Sequence, residues 1–229
     1  MPIDRRSKAI YKDRHMSNIG IVGSGHVAQA LASAFLKEGH EVKLSARLPE
    51  RKKSQATGGV LEKLDIVSFA QVIRYAEIIV VAVEGLAIEA IFEEIDLETV
   101  QGKVILDVTN PLIIVDKNIR FGRATGDSNG KLLQAMLPSA RVVKALNTVN
   151  AHDMYRPAFE EGEASMLMCG DDEGAKVEVG KILTSFGWRD IIDIGGIEYS
   201  FEMESYVALW VRVAKEVNSF HLAMRFLRG

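Results

Sequence analysis

Residues 19–42 read IGIVGSGHVAQALASAFLKEGHEV. An apolar strand leads into a turn with glycines at Gly23 and Gly25, and an amphipathic helix of about four turns and a second strand follow. A cofactor's pyrophosphate approaches backbone N–H groups at a helix N-terminus, where a side chain would obstruct it. Ala28 stands at the third glycine position, where a small residue allows close packing of helix on strand. Any strand-to-helix turn can carry two glycines, but these flanks predict the first half of a dinucleotide-binding fold.

The end of the second predicted strand indicates which dinucleotide is bound. NAD sites usually carry Asp or Glu about 20 residues past the glycines, where the carboxylate accepts from the ribose 2′-hydroxyl. Here Ser45 takes the acidic position, and Arg47 and Arg51 follow it. A guanidinium can bind a 2′-phosphate through two charge-assisted hydrogen bonds, whereas a carboxylate would repel it. The sequence predicts NADP, with both arginines on one helical face; the alternative is a solvated basic start to a surface helix, which we prefer for the two lysines that follow.

The composition excludes several other classes of protein. Of 229 residues, 48% are apolar and 26% charged, which suffices for a sizeable core. The net charge of −3 provides no basic field to attract nucleic acid. No apolar run approaches the roughly 18 residues of a membrane helix. Cys169, the one cysteine, lies in an apolar run and is expected in the core, as in a reducing compartment. We predict a cytoplasmic protein without nucleic-acid or membrane partners.

Downstream, strands and helices alternate as in a doubly wound sheet. Buried strands are expected at 77–83, 103–112 and 141–151, with helices at 85–94 and 128–137. The turn at Asn110-Pro111 after the second of these strands and the polar end of the third, Lys144 to Asn147, should emerge at the ligand crevice, which forms at the carboxyl ends of parallel strands. The predicted fold class is α/β, a Rossmann-type doubly wound parallel sheet with a small C-terminal α/β lobe.

The domain organisation follows from this pattern. Residues 1–17 are polar and basic without the apolar core of a signal peptide, and we expect a disordered lead-in. Residues 18–149 would form the NADP-binding domain. Residues 150–229 would form the small lobe, with strands at 165–169 and 189–194, a helix at 173–186 and a long helical segment at 198–227. This lobe is expected to close the cleft and to offer a homodimer surface. The apolar residues at helical spacing in the last segment indicate core or dimer interface: Val207, Trp210, Val211 and Ala214.

Several separated motifs occur in one order: GSGHVA at 23–28, SARLPER at 45–51, DVTNP at 107–111, LPSARVVKALNT at 137–148 and CGDDEGAK at 169–176. With the terminal helix from about Glu198, they cover residues 18–227. In this order the chain resembles the NADPH-dependent reductases of the deazaflavin coenzyme F420, and it is similar to the cytoplasmic domain of six-transmembrane ferric reductases. Val83 and Glu84 depart from the pattern, since relatives commonly have proline after this strand.

The resemblance implies roles for particular residues. The pyrophosphate would lie on the glycine turn and the 2′-phosphate on the turn after the second strand, while the nicotinamide would lie near the VKALNT strand end. The implied cofactor-binding residues are Gly23, Ser24, Gly25, His26, Val27, Ser45, Arg47, Arg51, Val83, Asn110, Pro111, Ala145 and Asn147. The implied cofactor is NADP, and the implied co-substrate is a small redox molecule, coenzyme F420 or a flavin.

The implied reaction is direct hydride transfer between the nicotinamide and a planar ring stacked against it, which requires no strongly tuned acid–base side chain. The sequence accordingly shows no nucleophilic triad or zinc spacing, and we predict no catalytic side chain and no metal. His26 is interpreted as a helix-start residue beside phosphate. His152 either borders the second ligand or is a plain loop histidine. The pair at 171–172 is predicted to cap the next helix rather than to bind a metal.

Of two alternatives, one is a rival enzyme and the other belongs to another class of function. Lys215 and Asn218 match the Lys-x-x-Asn of 3-hydroxyacid dehydrogenases, in which one helical turn places both residues on one face. Those enzymes need a large helical second domain, so we interpret this match as chance. The other alternative is an NADP-binding redox sensor without turnover, which a fold alone does not exclude.

Overall fold

An eight-stranded sheet organises the protein in the computed structural model, which describes residues 16–54, 59–93, 95–115 and 118–228. The predicted lead-in therefore lies almost entirely outside the described residues. The strands in chain order are β1 (Asn18–Val22), β2 (Glu41–Ser45), β3 (Asp65–Val67), β4 (Ile78–Val81), β5 (Val104–Asp107), β6 (Leu112–Val115), β7 (Asn118–Phe121), β8 (Arg141–Ala145), β9 (Ser165–Gly170) and β10 (Asp190–Asp193).

The strand order is β10-β9-β8-β5-β4-β1-β2-β3, and every neighbouring pair is parallel except β8 and β9, which are antiparallel. The predicted fold class is confirmed, with one antiparallel pair in place of an all-parallel sheet. Because β9 and β10 extend the same sheet, it is continuous across the boundary we placed at residue 150. β6 and β7 form a separate hairpin that the sequence analysis did not predict.

Helices cover both faces of the sheet: α1 (His26–Lys37), α2 (Pro49–Ser54), α3 (Phe69–Tyr75), α4 (Ile88–Phe92), α5 (Asn129–Met136), α6 (Glu173–Ser185) and α7 (Ser200–Glu216). Alternate strand residues serve the two layers, so that Val80 packs with α1 and α6 while Ile79 packs with α3 and α5. Asp172 caps α6 as predicted, since its Oδ1 accepts from the Ala175 N–H at 2.7 Å. Ala28 is fully buried, in keeping with close packing of α1.

The C-terminal segment departs from the predicted long helix. α7 ends at Glu216 because Asn218 takes a left-handed φ of 53° and the Ser219 N–H returns to the Ala214 carbonyl. Residues 219–228 then lie beside β9, where Ser165 donates its N–H to the Met224 carbonyl at 2.8 Å. The apolar stripe of α7 is core: Val207, Trp210 and Val211 are buried within the chain against the β6–β7 hairpin and Leu222.

Cys169 is fully buried, as predicted. Burial raises the pKa of its thiol to about 12.

Candidate active site

The turn after β1 contains two glycines with different structural roles. Gly23 has a φ of +131°, and a Cβ there would lie 2.3 Å from the Ala82 carbonyl oxygen, so the fold itself requires glycine. Gly25 has an ordinary extended backbone, and a Cβ there would meet nothing within 4 Å. It begins α1 with no side-chain cap and no acidic residue in the first turn. The first backbone N–H groups of α1 therefore border a space that no side chain at position 25 occupies.

Ser45 was predicted beside the ribose of the cofactor, but its side chain lies in the interior of the protein. It is fully buried, and its Oγ accepts a hydrogen bond from the Gly23 N–H at 3.2 Å. The end of β2 thus holds the glycine turn in place. Arg47 lies in the turn before α2, which begins at Pro49, so Arg47 and Arg51 do not share one helical face as predicted. Both side chains are exposed, and neither forms an ion pair with any described residue.

A cleft of about 360 Å³ opens where the carboxyl ends of β1, β4 and β5 meet. Five of the predicted residues line it: Gly25, His26, Val27, Val83 and Asn110. Ser24 borders the turn, and its carbonyl accepts from Gln29 Nε2 at 3.1 Å. Two of the predicted residues, Pro111 and Ala145, are buried behind the cleft.

Asn147 joins the end of β8 to the cleft wall. Its Nδ2 donates to Asn110 Oδ1 at 2.9 Å, and Asn110 Nδ2 donates to the Asn147 carbonyl at 2.9 Å. Leu146, which precedes it, has a left-handed φ of 63°, a conformation uncommon for a side-chain-bearing residue and typical of functional turns. Asn147 is 3% exposed, and its Oδ1 has no hydrogen-bond partner among the described residues. Asn147 does not line the cleft, so it contributes to the cleft wall through Asn110.

His152 lies against His26. The ring centroids are 5.0 Å apart with an interplanar angle of 68°, and both residues are exposed. His26 lines the cleft, and His152 lies beside the cleft through this contact. That His152 borders the second ligand stays a prediction.

A buried charged cluster beneath the cleft wall was missed from sequence. Lys144, expected to emerge at the sheet edge, is fully buried with Asp107 and Glu204; these three residues are called the Lys144 cluster. The Lys144 Nζ lies 2.6 Å from Asp107 Oδ2 and 2.8 Å from Glu204 Oε1, and it donates to the Thr109 carbonyl at 2.8 Å. Glu204 also accepts from the backbone N–H groups of Asn129 and Gly130 at the start of α5.

Opposing effects act on the protonation of this cluster. Burial alone would lower the pKa of Lys144, but the facing carboxylates outweigh it and place that pKa above its ordinary value. Burial raises the pKa of Glu204 against the attraction of Lys144. One feature of the sequence pointed to this cluster: Asp107 and Lys144 each lie near the end of a predicted strand. In the structure these strands, β5 and β8, are neighbours, and Asp107 lies opposite Lys144. Glu204 lies too far along the chain for any local pattern to show it.

The two residues of the Lys-x-x-Asn match do not lie on one helical face. Lys215 lies in α7, whereas Asn218 follows the helix end in a left-handed conformation. The geometric basis of the 3-hydroxyacid dehydrogenase alternative is therefore wrong. Across residues 16–54, 59–93, 95–115 and 118–228, no group of three or more His, Cys, Asp or Glu side chains is arranged to hold a metal. Within the same described ranges, no helix has the length and apolarity needed to span a membrane.

Fold and site together define the class of protein: a doubly wound α/β protein with a helix-terminus cleft at its strand ends. The family described as coenzyme F420-dependent NADP oxidoreductase matches residues 18–111. A candidate F420-dependent NADP-reductase of known structure from Arthrobacter sp. FB24 is 30% identical, with a TM-score of 0.86 over 93% of this chain and 100% of that one. The chain belongs to the coenzyme F420-dependent NADP oxidoreductase family, as the motifs indicated.

Two further similarities are more distant. Metalloreductase STEAP3 of Rattus norvegicus is 29% identical over 188 residues, which are 82% of this chain and 36% of that protein. The chain thus spans about a third of that relative's length. A reductive aminase from Aspergillus terreus, in complex with NADPH and ethyl levulinate, is 16% identical with a TM-score of 0.63, over 89% of this chain and 63% of that one. At that identity the likeness shows the fold alone.

Proposed function

We propose that the protein transfers a hydride between NADPH and a planar acceptor, a deazaflavin of the coenzyme F420 type or a flavin. The observation that carries the proposal is the uncapped N-terminus of α1 behind Gly25, which opens on the cleft. Backbone N–H groups and the positive end of the helix dipole favour a pyrophosphate there. A side chain at Gly25 would meet no protein atom, so glycine keeps the space free for a ligand.

Arg47 and Arg51 are proposed to bind the 2′-phosphate. Arg47 lies two residues after the end of β2, at the place where related folds bind the adenosine ribose. Both guanidinium groups are exposed and lack a carboxylate partner among the described residues. Ser45 supports this site indirectly through its hydrogen bond to Gly23.

The nicotinamide end is proposed to lie between Val83 and Asn110. Val27, Val83 and Leu112 give the cleft apolar walls that suit flat rings. Asn147 supports this end through its two hydrogen bonds to Asn110, which lines the cleft. When bound, NADPH supplies the hydride, while these side chains hold the ring, fix its orientation and exclude water.

The proposed acceptor rests on family membership. The family description names coenzyme F420, and the name of the STEAP3 relative describes reduction of a metal. A deazaflavin, FMN, FAD or a flavin-bound ferric chelate would each present a planar ring system or be reduced through one, and we place that ring beside His26, which lines the cleft.

Steady-state oxidation of NADPH, with coenzyme F420, FMN, FAD and a ferric chelate added separately, tests the proposal. One acceptor should support turnover, and NADPH should be preferred to NADH. Arg47→Ala should raise the NADPH Michaelis constant about tenfold or more through loss of charged hydrogen bonds, with little effect on NADH. Lys53→Ala, an exposed cation of α2, is the matched control and should change neither value. Tight NADPH binding without turnover would instead support the redox-sensor alternative.

A further inference from the structure

Thr109 is bonded through each of its polar groups. Its N–H and hydroxyl both donate to Asp107 Oδ1, at 2.9 and 2.7 Å. Its carbonyl accepts from Lys144 Nζ at 2.8 Å, and its Oγ1 accepts from Asn129 Nδ2 at 2.8 Å. Thr109 also lines the cleft, so one residue joins the cleft wall to the Lys144 cluster.

Displacement of Thr109 would be transmitted to its neighbours because the adjoining backbone is tightly packed. A Cβ at Gly85 would lie 2.2 Å from the Asn110 carbonyl oxygen, which shows how closely the loop after β4 approaches this segment. Asn110 is in turn bonded to Asn147 in both directions. The nicotinamide end of the proposed site is therefore built on the segment 108–110.

The cluster also connects this segment to the C-terminal helix. Glu204 of α7 contacts Lys144 and accepts from the first N–H groups of α5, while Asn129 of α5 donates to Thr109. All of these groups are buried, where a polar group is expensive to leave unpaired. The network continues from Asn129 Oδ1, which accepts from Arg123 Nε, to the ion pair of Arg123 with Glu89.

We infer that Lys144 and Thr109 are positioning residues, which set the cleft wall against which the nicotinamide ring lies, and that Glu204 makes α7 part of that support. This inference rests on the proposed function. Neither Lys144 nor Glu204 lines the cleft, so both act through the 108–110 segment.

The kinetic expectation follows from the separation of the two ends of the cleft. Phosphate groups would be held by α1 and the turn after β2, which share no hydrogen bond with the Lys144 cluster among the described residues. Loosening the 108–110 segment should therefore lower kcat while leaving NADPH affinity nearly intact. A misplacement of about 1 Å at the reacting ring can reduce rate by about 100-fold.

The decisive comparison is Thr109→Val against Thr109→Ser. Removing Lys144 itself would leave two buried carboxylates without a cation, and the large loss of stability would obscure any effect on kcat. Valine keeps the shape of threonine but loses the bonds of its hydroxyl to Asp107 and Asn129, whereas serine keeps that hydroxyl. Lys176→Met is the structural control, because Lys176 is 6% exposed, pairs with Glu173 and Asp193 at 2.7 Å and lies at the far edge of the sheet.

Three quantities are measured for each folded variant: Kd for NADPH by fluorescence titration, kcat with the best acceptor, and Tm. We expect Thr109→Val to reduce kcat tenfold or more with Kd within threefold, Thr109→Ser to restore kcat, and Lys176→Met to lower Tm alone. Unchanged kcat in Thr109→Val, or equal losses of kcat in Thr109→Val and Lys176→Met, would overturn the inference. A wild-type protein that binds no NADPH would overturn the proposed function first, and the inference with it.

Discussion

The proposed phosphate-binding edge and the Lys144 cluster both lie near the carboxyl ends of the strands and are built in opposite ways. At the edge, Gly25 leaves a helix terminus bare, and Arg47 is exposed without a carboxylate partner among the described residues. In the cluster, Lys144 is fully buried with two carboxylates and a carbonyl within hydrogen-bond distance. The first region has polar groups without partners among the described residues, and the charged groups of the second are paired with one another.

This difference distinguishes groups that are available to bind a ligand from groups that support the cleft. Unsatisfied groups on a rigid scaffold can bind a ligand without first breaking internal bonds. A fully satisfied buried network provides that scaffold, since removing any one member leaves the others unpaired at high energetic cost. Variants at the edge should therefore change affinity, and variants in the cluster should change stability or the geometry of the cleft.

The largest effect is expected for Lys144→Met. Two buried carboxylates would remain without their cation, and the free energy of unfolding should fall by about 3–5 kcal/mol. Urea denaturation measures the change, and Lys53→Met on the exposed face of α2 should stay within about 0.5 kcal/mol of wild type. A loss below about 1 kcal/mol for Lys144→Met would show that the cluster is not the structural support described here.

Substitutions at Gly23 and Gly25 distinguish a structural role from a ligand-binding role most directly. Gly23→Ala should destabilise the protein by about 1–3 kcal/mol through backbone strain, beyond the contact with the Ala82 carbonyl. Gly25→Ala has an ordinary backbone and open space, so its free energy of unfolding should stay near wild type. Its NADPH affinity should fall at least tenfold, about 1.4 kcal/mol, because the methyl group enters the phosphate approach. Calorimetry of folding and of binding measures both. Equal effects of the two substitutions on stability would remove the distinction.

The smallest effect concerns a half-exposed ion pair, His221 with Asp153. His221 Nδ1 lies 2.8 Å from Asp153 Oδ1, and Nε2 lies 3.1 Å from the Ala158 carbonyl. Two acceptors favour the doubly protonated ring, and the hydrogen bond to Asp153 raises the pKa of His221 above 6.5.

Since that pKa is raised, the stabilising contribution of His221 is complete below 6.5 and is lost as the pH rises through the folded-state value. Residues 219–228 should exchange amide hydrogens faster at pH 9 than at pH 6, after correction for intrinsic rates. His221→Gln should show little difference between the two. An identical pH dependence in both proteins would assign it to another group.

Local patterns predicted most elements of the fold. The strands at β1, β4, β5 and β8 were evident as apolar runs, and Asp172 was evident as a cap because capping depends on neighbouring residues. The long helix to residue 227 was wrong, because the left-handed turn at Asn218 and the pairing of the last segment with Ser165 involve distant backbone. The β6–β7 hairpin was not predicted, because the sequence between its strands contains neither Asn-Gly nor Asp-Gly, the pairs that most clearly indicate a two-residue hairpin turn.

The candidate site was predictable in its phosphate half and not in its support. Glycines at a strand-to-helix turn and arginines after the next strand form a continuous stretch, so their spacing alone indicates their chemistry. Lys144 was expected to emerge at the crevice edge with the polar end of its strand, whereas it is fully buried. Its partner Glu204 comes from a helix at the other end of the chain, and nothing local to either residue indicates that the two meet.

The sequence by itself determined the class of fold, the family and the residues expected at the phosphate end, because these depend on short-range periodicity and on groups left without local partners. Only the tertiary structure decided which glycine the fold requires and which one leaves the approach open, that Ser45 bonds to the turn, and that Lys144 is buried. Those properties depend on distances between segments that are remote in the chain, and the packing of the sheet and its helices sets them.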